Sequence, residues 1–322
     1  MAKKKKTNIV QSPEYTPYDV SGTIPADAFA VLGADTENME AIKRPSISFM
    51  KDAWNRIRKS KVAVVCMILL AIIILGAIFF PMVIPFDYAK QNVAFQNQPM
   101  FTPDSVTGQM HLFGTDALGR DVFARIWYGA RVSLTVAVAV ALIDCVIGVI
   151  YGGVSGYFGG MVDNVMMRIL EVISGIPYMI IVILLMTVMD RGIGTFIIAY
   201  SLSGWTGMAR LVRGQVVSLK EQEFVIAAKT MGAGAGRIIA KHLVPNVLSV
   251  IIINITLDIP NLIFTEAFLS MLGLGIAPPK ASWGIIANAA IKVFQMYPTQ
   301  LVIVALFICV TMLSFNLLGD QL

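Results

Sequence analysis

The sequence predicts an all-α polytopic membrane protein with six transmembrane helices. Three observations carry this prediction. Hydrophobic residues make up 57% of the chain and charged residues only 14%, far more apolar surface than a water-soluble domain can bury. The apolar residues are gathered in six long blocks, which suits bilayer spans better than an amphipathic core. Lys and Arg are spread unevenly between the segments that join those blocks.

In chain order, residues 1–61 form a tail expected to be cytoplasmic, basic and disordered. It opens with Lys3 to Lys6 and stays polar and proline-containing to Pro45, too poor in apolar residues to build a core. Contact with anionic membrane lipid is its expected role. The first block, Val62 to Phe80, holds no charged residue over nineteen positions. At about 1.5 Å per residue this crosses a hydrocarbon layer of roughly 30 Å, and it starts too late and runs too long for a cleaved signal peptide.

An outer loop of about residues 85–131 follows, with Gly114 and Gly119 placed for turns. Its second half reads as an amphipathic interfacial helix, with Asp121 pairing Arg125 at i+4 and Trp127 and Tyr128 in an aromatic belt. Asp116, Arg120, Asp121 and, from a second outer segment, Trp283 are candidates for contact with an external binding protein. The second block is Val132–Tyr151, and the glycine-rich run from Gly148 to Gly160 suits close helix packing. The third block, Val165–Met189, carries an expected Arg168–Glu171 ion pair and a kink at Pro177. Ile193–Ala209 is the fourth block.

A basic loop of about 213–246 then separates the fourth and fifth blocks. Within it Phe224, Ala227, Ala228 and Met231 follow i, i+3, i+4, i+7 and predict one helix face, with Glu223 pointing elsewhere. Gly232, Gly234 and Gly236 permit a sharp turn, Arg237 and Lys241 restart a basic helix, and Pro245 suits the first turn of the next span. The fifth block, Val247–Leu272, contains Pro260 and an expected second kink. Gly273 to Gly284, with Pro278, Pro279 and Trp283, predicts a rigid outer or re-entrant loop, and Leu301–Leu318 is the last block.

Eighteen of the 25 Lys and Arg residues lie in 1–61, at Arg168 or between Arg210 and Lys241. The positive-inside rule therefore places both termini and the 213–246 loop in the cytoplasm of a multi-pass protein. The net charge of +5 reflects this topology and does not point to nucleic acid.

The chain has no Gly-x4-Gly-Lys-Ser/Thr pattern, so no nucleotide site is expected in it. No metal site is expected either, because His111 and His242 fall on opposite sides of the membrane. Cys66, Cys145 and Cys309 all lie inside spans and read as small core residues. Gly153-Val-Ser155-Gly156 imitates an element of intramembrane serine proteases, but no histidine lies in a span to activate Ser155. Asp144, Asp258 and Glu266 are costly in an apolar span and are candidate pathway residues, the last two on one helix face. A proton-coupled symporter using Asp258 or Glu266 is a rival reading that leaves the 213–246 loop unexplained.

From about Val62 onward the chain resembles the permease subunits of oligopeptide and dipeptide ABC importers, of the kind called the C subunit. The "EAA" core Ala-Ala-x3-Gly corresponds to Ala227, Ala228 and Gly232, with Pro245 at its far end. The acid of that motif stands at Glu223, and Ile226 occupies its usual place. Gly114-Thr-Asp-x-x-Gly119-Arg-Asp leading to Tyr128-Gly-Ala-Arg131-x-Ser133-Leu134 resembles the same branch. So does Glu266-Ala-x-Leu-Ser270-x-Leu-Gly273-Leu-Gly275 leading to Ser282-Trp283-Gly284.

The resemblance implies a type I importer transmembrane domain over residues 62–322 in a bacterial cell membrane. It implies a second, homologous permease, two ATPase subunits that hold ATP and magnesium, and an extracellular peptide-binding protein. This chain would then bind no cofactor and catalyse no reaction itself. The resemblance also assigns ATPase coupling to Glu223, Phe224, Ala227, Ala228, Met231, Gly232 and Arg237. Nickel and other small-solute importers share these motifs and remain the alternative substrate class.

Overall fold

The computed structural model describes residues 49–104 and 108–322, with side chains from Trp54 onward. The disordered-tail expectation falls mostly on residues outside these. Within them the 1–61 segment is already helical as α1, Phe49–Lys59. Ser60 then caps α2, Lys61–Val83, its Oγ accepting the Ala63 N–H at 3.3 Å.

Beyond α2 the chain is mostly irregular, with a 3-10 turn at Val93–Phe95 and a two-residue antiparallel ribbon, β1 (Thr102–Pro103) with β2 (Met110–His111), in which Thr102 pairs with His111. The interfacial helix expected before the second span does not form as a separate element. Residues from Val122 onward instead open α3, Val122–Phe158, which continues unbroken for 37 residues, or about 55 Å. Trp127 is correspondingly buried, 4.7 Å from the Phe80 ring and 5.3 Å from that of Phe307, and lies in no aromatic belt. The physical reason is the absence of a neighbour's Cβ at Gly76. A Cβ there would lie 2.2 Å from the Trp127 ring, so α2 and α3 cross at this point.

The third block bends by 67° between α4, Gly160–Gly175, and α5, Tyr178–Val188. Pro177 supplies no backbone donor and disfavours helical geometry at Ile176, which is extended. The fourth block is not one helix. It divides into α6, Ile193–Ser201, and α7, Trp205–Leu219, at the Leu202 to Gly204 turn, where Trp205 Nε1 donates to the Leu202 carbonyl and Thr206 Oγ1 to that of Ser203.

The basic loop forms α8, Glu223–Thr230, and a short α9, Ala235–Ile238. A π-helical turn, Ile239–Leu243, leads into α10, Val244–Met271, with Pro245 in its first turn. α10 stays helical through Pro260. A helix that was not foreseen, α11 (Trp283–Lys292), is capped by Ser282, whose Oγ accepts from Ile285 N–H; α12 is Pro298–Gly319.

Among the described residues, four helical runs are long and apolar enough to cross a membrane, namely α2, α3, Ala235–Met271 and α12. The bent α4–α5 pair brings this to as many as five. The count of six spans expected from the sequence is not confirmed: the third block bends at Pro177, as expected, and the fourth is divided at the Leu202 to Gly204 turn.

α3 packs against most other helices of the bundle. Gly148, Gly152 and Gly156 form a stripe on which α7 lies at near-contact distance. Cβ atoms there would come 2.6 Å from the Met208 side chain, 2.3 Å from the Ala209 carbonyl oxygen and 2.9 Å from the Arg213 carbonyl oxygen.

Candidate functional site

α8 lies at the C-terminal end of α3. A cavity of about 490 Å³ between them is lined by Tyr157, Phe158, Lys220, Ile226 and Lys229 among others. Val225 and Ala228 turn inward and are buried against Val212 and Val216 of α7 and Ile238, Leu243 and Val247 of the α9–α10 run. Ala228, expected on the docking face, therefore belongs to the chain's own core. A residue four positions from Phe224 is carried to the inner side because Val225 supplies the rest of that buried edge. The outward face carries Phe224 (40% exposed), Ala227 and Met231 (81% exposed), with Ile226 and Glu223 also exposed. Arg237 is exposed just beyond it.

α8 ends in a Schellman turn. Gly232 sits at φ +82°, its N–H donating to the Lys229 carbonyl and that of Ala233 to the Ala228 carbonyl, both at 3.0 Å. Gly232 alone of the three glycines needs the left-handed region; Gly234 is an ordinary extended residue and Gly236 is helical.

Above this loop Asp163 of α4 ties three helices together. It accepts Ser155 Oγ from α3 at 2.5 Å and a two-pronged Arg213 guanidinium from α7, Nε at 3.0 Å and Nη2 at 2.5 Å. Ser155 thus serves helix packing, and among the described residues its hydroxyl meets the Asp163 carboxylate and no histidine. The charge pair holds the Arg213 guanidinium even more firmly protonated than usual, chiefly through its hydrogen bonds to Asp163. Arg168 and Glu171 pair at 2.8 Å as expected, on an exposed surface.

The acidic span residues separate into different roles. Glu266 is 1% exposed. Its Oε1 accepts Ser282 Oγ at 2.5 Å and Ser270 Oγ at 2.9 Å, and its Oε2 accepts Ser133 Oγ at 3.0 Å. A carboxylate so enclosed does not line an open conduit together with Asp258, and that expectation is corrected: Glu266 joins α3, α10 and the cap of α11. Asp258 is partly exposed and accepts Asn254 Nδ2 at 2.7 Å. Asp144 is 9% exposed and faces the α6–α7 turn, where a Cβ on Gly204 would come 2.1 Å from its Oδ2; its Oδ1 has no hydrogen-bond partner among the described residues.

At the opposite end of α3, Asp116 is buried and receives Arg120 Nη2 at 2.7 Å and Nε at 2.8 Å, with Arg125 Nε at 3.4 Å. Asp121 does not pair with Arg125. Its Oδ1 caps α3 by accepting Ala124 N–H at 2.6 Å, and its Oδ2 meets His111 Nδ1 at 2.8 Å. Burial pushes the Asp121 carboxyl above its usual range, against these two contacts. Trp283 is fully buried and donates from Nε1 to the Ile126 carbonyl at 3.1 Å. Asp116, Asp121 and Trp283, expected as contacts for an external protein, instead hold this chain's own loop and helix ends.

The Asp163–Arg213 tie, the serine cradle of Glu266 and the Asp121–His111 contact were not anticipated. Each joins residues far apart in sequence or across a loop, so no local pattern announces it. Among the described residues no three His, Cys, Asp or Glu side chains are placed to hold a metal ion.

Residues 145–322 match the family described as binding-protein-dependent transport system inner membrane component, and residues 48–99 match the N-terminal TM domain of oligopeptide transport permease C. The chain is 46% identical over 314 residues to a dipeptide transport system permease protein of Bacillus subtilis, covering 97% of this chain and 96% of that one. It is 46% identical over 299 residues to the oligopeptide transport system permease protein of the same organism, covering 93% and 96%. Against the oligopeptide transport system permease protein of Escherichia coli it is 41% identical over 275 residues, covering 85% and 89%. With both segments matched and near-complete coverage of its relatives, the chain belongs to the binding-protein-dependent transport permease family, in its oligopeptide and dipeptide branch.

Proposed function

We propose that this chain is one of two permeases in an ATP-driven importer of oligopeptides or dipeptides, fed by an extracellular binding protein. Its relatives' transport names support the substrate class. The single structural observation that carries the mechanism is the outward apolar face of α8, with Phe224 and Met231 exposed while Val225 and Ala228 anchor the helix from below. A short helix with one face buried in its own subunit and a large apolar residue at each end of the other suits docking into a groove of a partner.

On this reading two ATPase subunits lie beneath the bilayer, carry the ATP and magnesium, and move α8 as they close. Both termini and the 213–246 loop are cytoplasmic, in keeping with the positive-inside bias, and the chain itself catalyses nothing. Asp144 and Asp258 are the remaining candidates for the pathway.

The test measures uptake of a labelled pentapeptide and of labelled nickel in cells with and without the chain, with ATP present or depleted. ATP-dependent loss of peptide uptake alone supports the proposal, whereas loss of nickel uptake alone moves the substrate to the metal branch. Phe224→Asp is expected to keep membrane insertion and abolish uptake. Normal uptake by that variant would refute docking through this face.

A further inference from the structure

Between the 116–125 segment and α11 lies a cavity of about 300 Å³. Its walls are apolar at Val122, Ile286 and Val293, and three cations border it: Arg120, Arg125 and Lys292. Asp116 is the one carboxylate lining it, and both arginines already share that group. The cavity therefore carries a surplus of two positive charges.

Arg125 is 2% exposed, yet its Nε makes no hydrogen bond among the described residues and stands from Asp116 at ion-pair distance only. Among the described residues the one hydrogen bond of its other nitrogens is a long one, from Nη1 to the Tyr88 carbonyl at 3.4 Å. Lys292 has no ion-pair partner among the described residues. A guanidinium with unmet donors in a buried site is costly, and an anion with paired oxygens relieves that cost.

We propose that this cavity receives the C-terminal residue of a peptide. The free carboxylate lies among Arg125, Arg120 and Lys292, and an apolar last side chain packs on Val122, Ile286 and Val293. The inference rests on the peptide reading above. Ligand sites span roughly 300–1,000 Å³, so a cavity of this size takes a terminal residue and not a whole chain. A phospholipid would need an apolar channel for its acyl chains leading from the cations. The apolar groove between α2 and α12 runs instead beside Lys61 and Leu317, at the other end of α2.

The test compares uptake of a labelled pentapeptide ending in leucine, as the free acid and as the C-terminal amide, by the complete importer. Any preference of the binding protein is common to wild type and variants, so a change in the acid-to-amide ratio belongs to this chain. Lys292→Met is expected to lower that ratio about tenfold, the value of one hydrogen bond to a charged group, and Lys292→Arg to restore it. An unchanged ratio in both Lys292→Met and Arg120→Gln overturns the proposal, as does an equal loss of both peptides. Absence of any ATP-dependent peptide uptake by wild type overturns the peptide reading itself.

A second measurement follows amine-reactive labelling of Lys292 in the purified complex in nanodiscs. N-acetyl-leucine should protect it and N-acetyl-leucinamide should not. Protection by phosphatidylglycerol alone would assign the cavity to lipid and overturn the proposal.

Discussion

Substituting Gly152 by Ala tests whether the glycine stripe of α3 sets the position of α7. The added Cβ would stand 2.3 Å from the Ala209 carbonyl oxygen, 2.9 Å from the Arg213 nitrogen and 3.0 Å from Val212 Cβ. Carbon–oxygen contacts close at about 3.3 Å, so α7 must retreat by about 1 Å. Overpacking costs about 1–3 kcal/mol, and the upper end applies because two of the three obstructing atoms are helix backbone with no rotamer to change. Ala recovers about 1 kcal/mol of helix propensity over Gly, leaving a net loss of about 2 kcal/mol. Gly207→Ala is the control: it lies on α7, exposed, with no atom within 4 Å of its added Cβ. Thermal midpoints of the detergent-purified complex, followed by size-exclusion fluorescence, should fall for Gly152→Ala and hold or rise for Gly207→Ala. Equal midpoints for the two variants would show that α3 and α7 are not in contact through the glycines, and the packing argument would fail.

Two further outcomes follow from the buried polar clusters. Glu266→Ala leaves Ser133, Ser270 and Ser282 without their acceptor; at about 1–3 kcal/mol for each unsatisfied group, reduced where a hydroxyl can turn to a backbone carbonyl, the loss is about 3 kcal/mol. Glu266→Gln keeps one acceptor and should lose less, so thermal midpoints that do not rank in this order would count against the cradle. Removing one member of the Asp163–Arg213 pair should cost about 1–2 kcal/mol, below the value for a fully buried pair because the Arg213 side chain is 38% exposed. A double-mutant cycle with Asp163→Asn and Arg213→Gln should return a coupling of that size, and a coupling near zero would make the contact incidental.

What the sequence makes legible is governed by the range of the interaction. α2 and α12 are continuous apolar runs whose partner is lipid or a neighbouring helix in any arrangement, so composition alone finds them. The break at Ser203-Gly204 sits within a run that is still apolar on average, and only the approach of Asp144 to Gly204 shows why a glycine stands there. The inward turn of Ala228 escapes helical spacing because periodicity defines a face without saying which body covers it. α11 left a readable trace, a capping serine ahead of an apolar stretch, but its 10 residues fall below the length that marks a span. Arg213 and Asp163 are separated by fifty positions, and Glu266 and Ser133 by 133, so their pairing exists only in the fold.

On the proposed docking, these contacts also say where a push on α8 must go. Val225 and Ala228 bury against α7 and the start of α10 together, so α8 cannot move against one without loading the other. α7 lies on backbone-to-backbone contacts along the glycine stripe and is pinned to α4 through Arg213 and Asp163. Close-packed interiors transmit displacement because they have no slack to absorb it. α10 carries the same displacement from Val244 to Glu266, about 33 Å at about 1.5 Å per residue, and Glu266 holds Ser282 at the cap of α11 and Ser133 on α3. The cation-rich cavity is walled by α11 on one side and the 116–125 segment on the other. On that docking, a movement begun at Phe224 and Met231 has a continuous route of packed and hydrogen-bonded side chains to α11, the helix that walls that cavity.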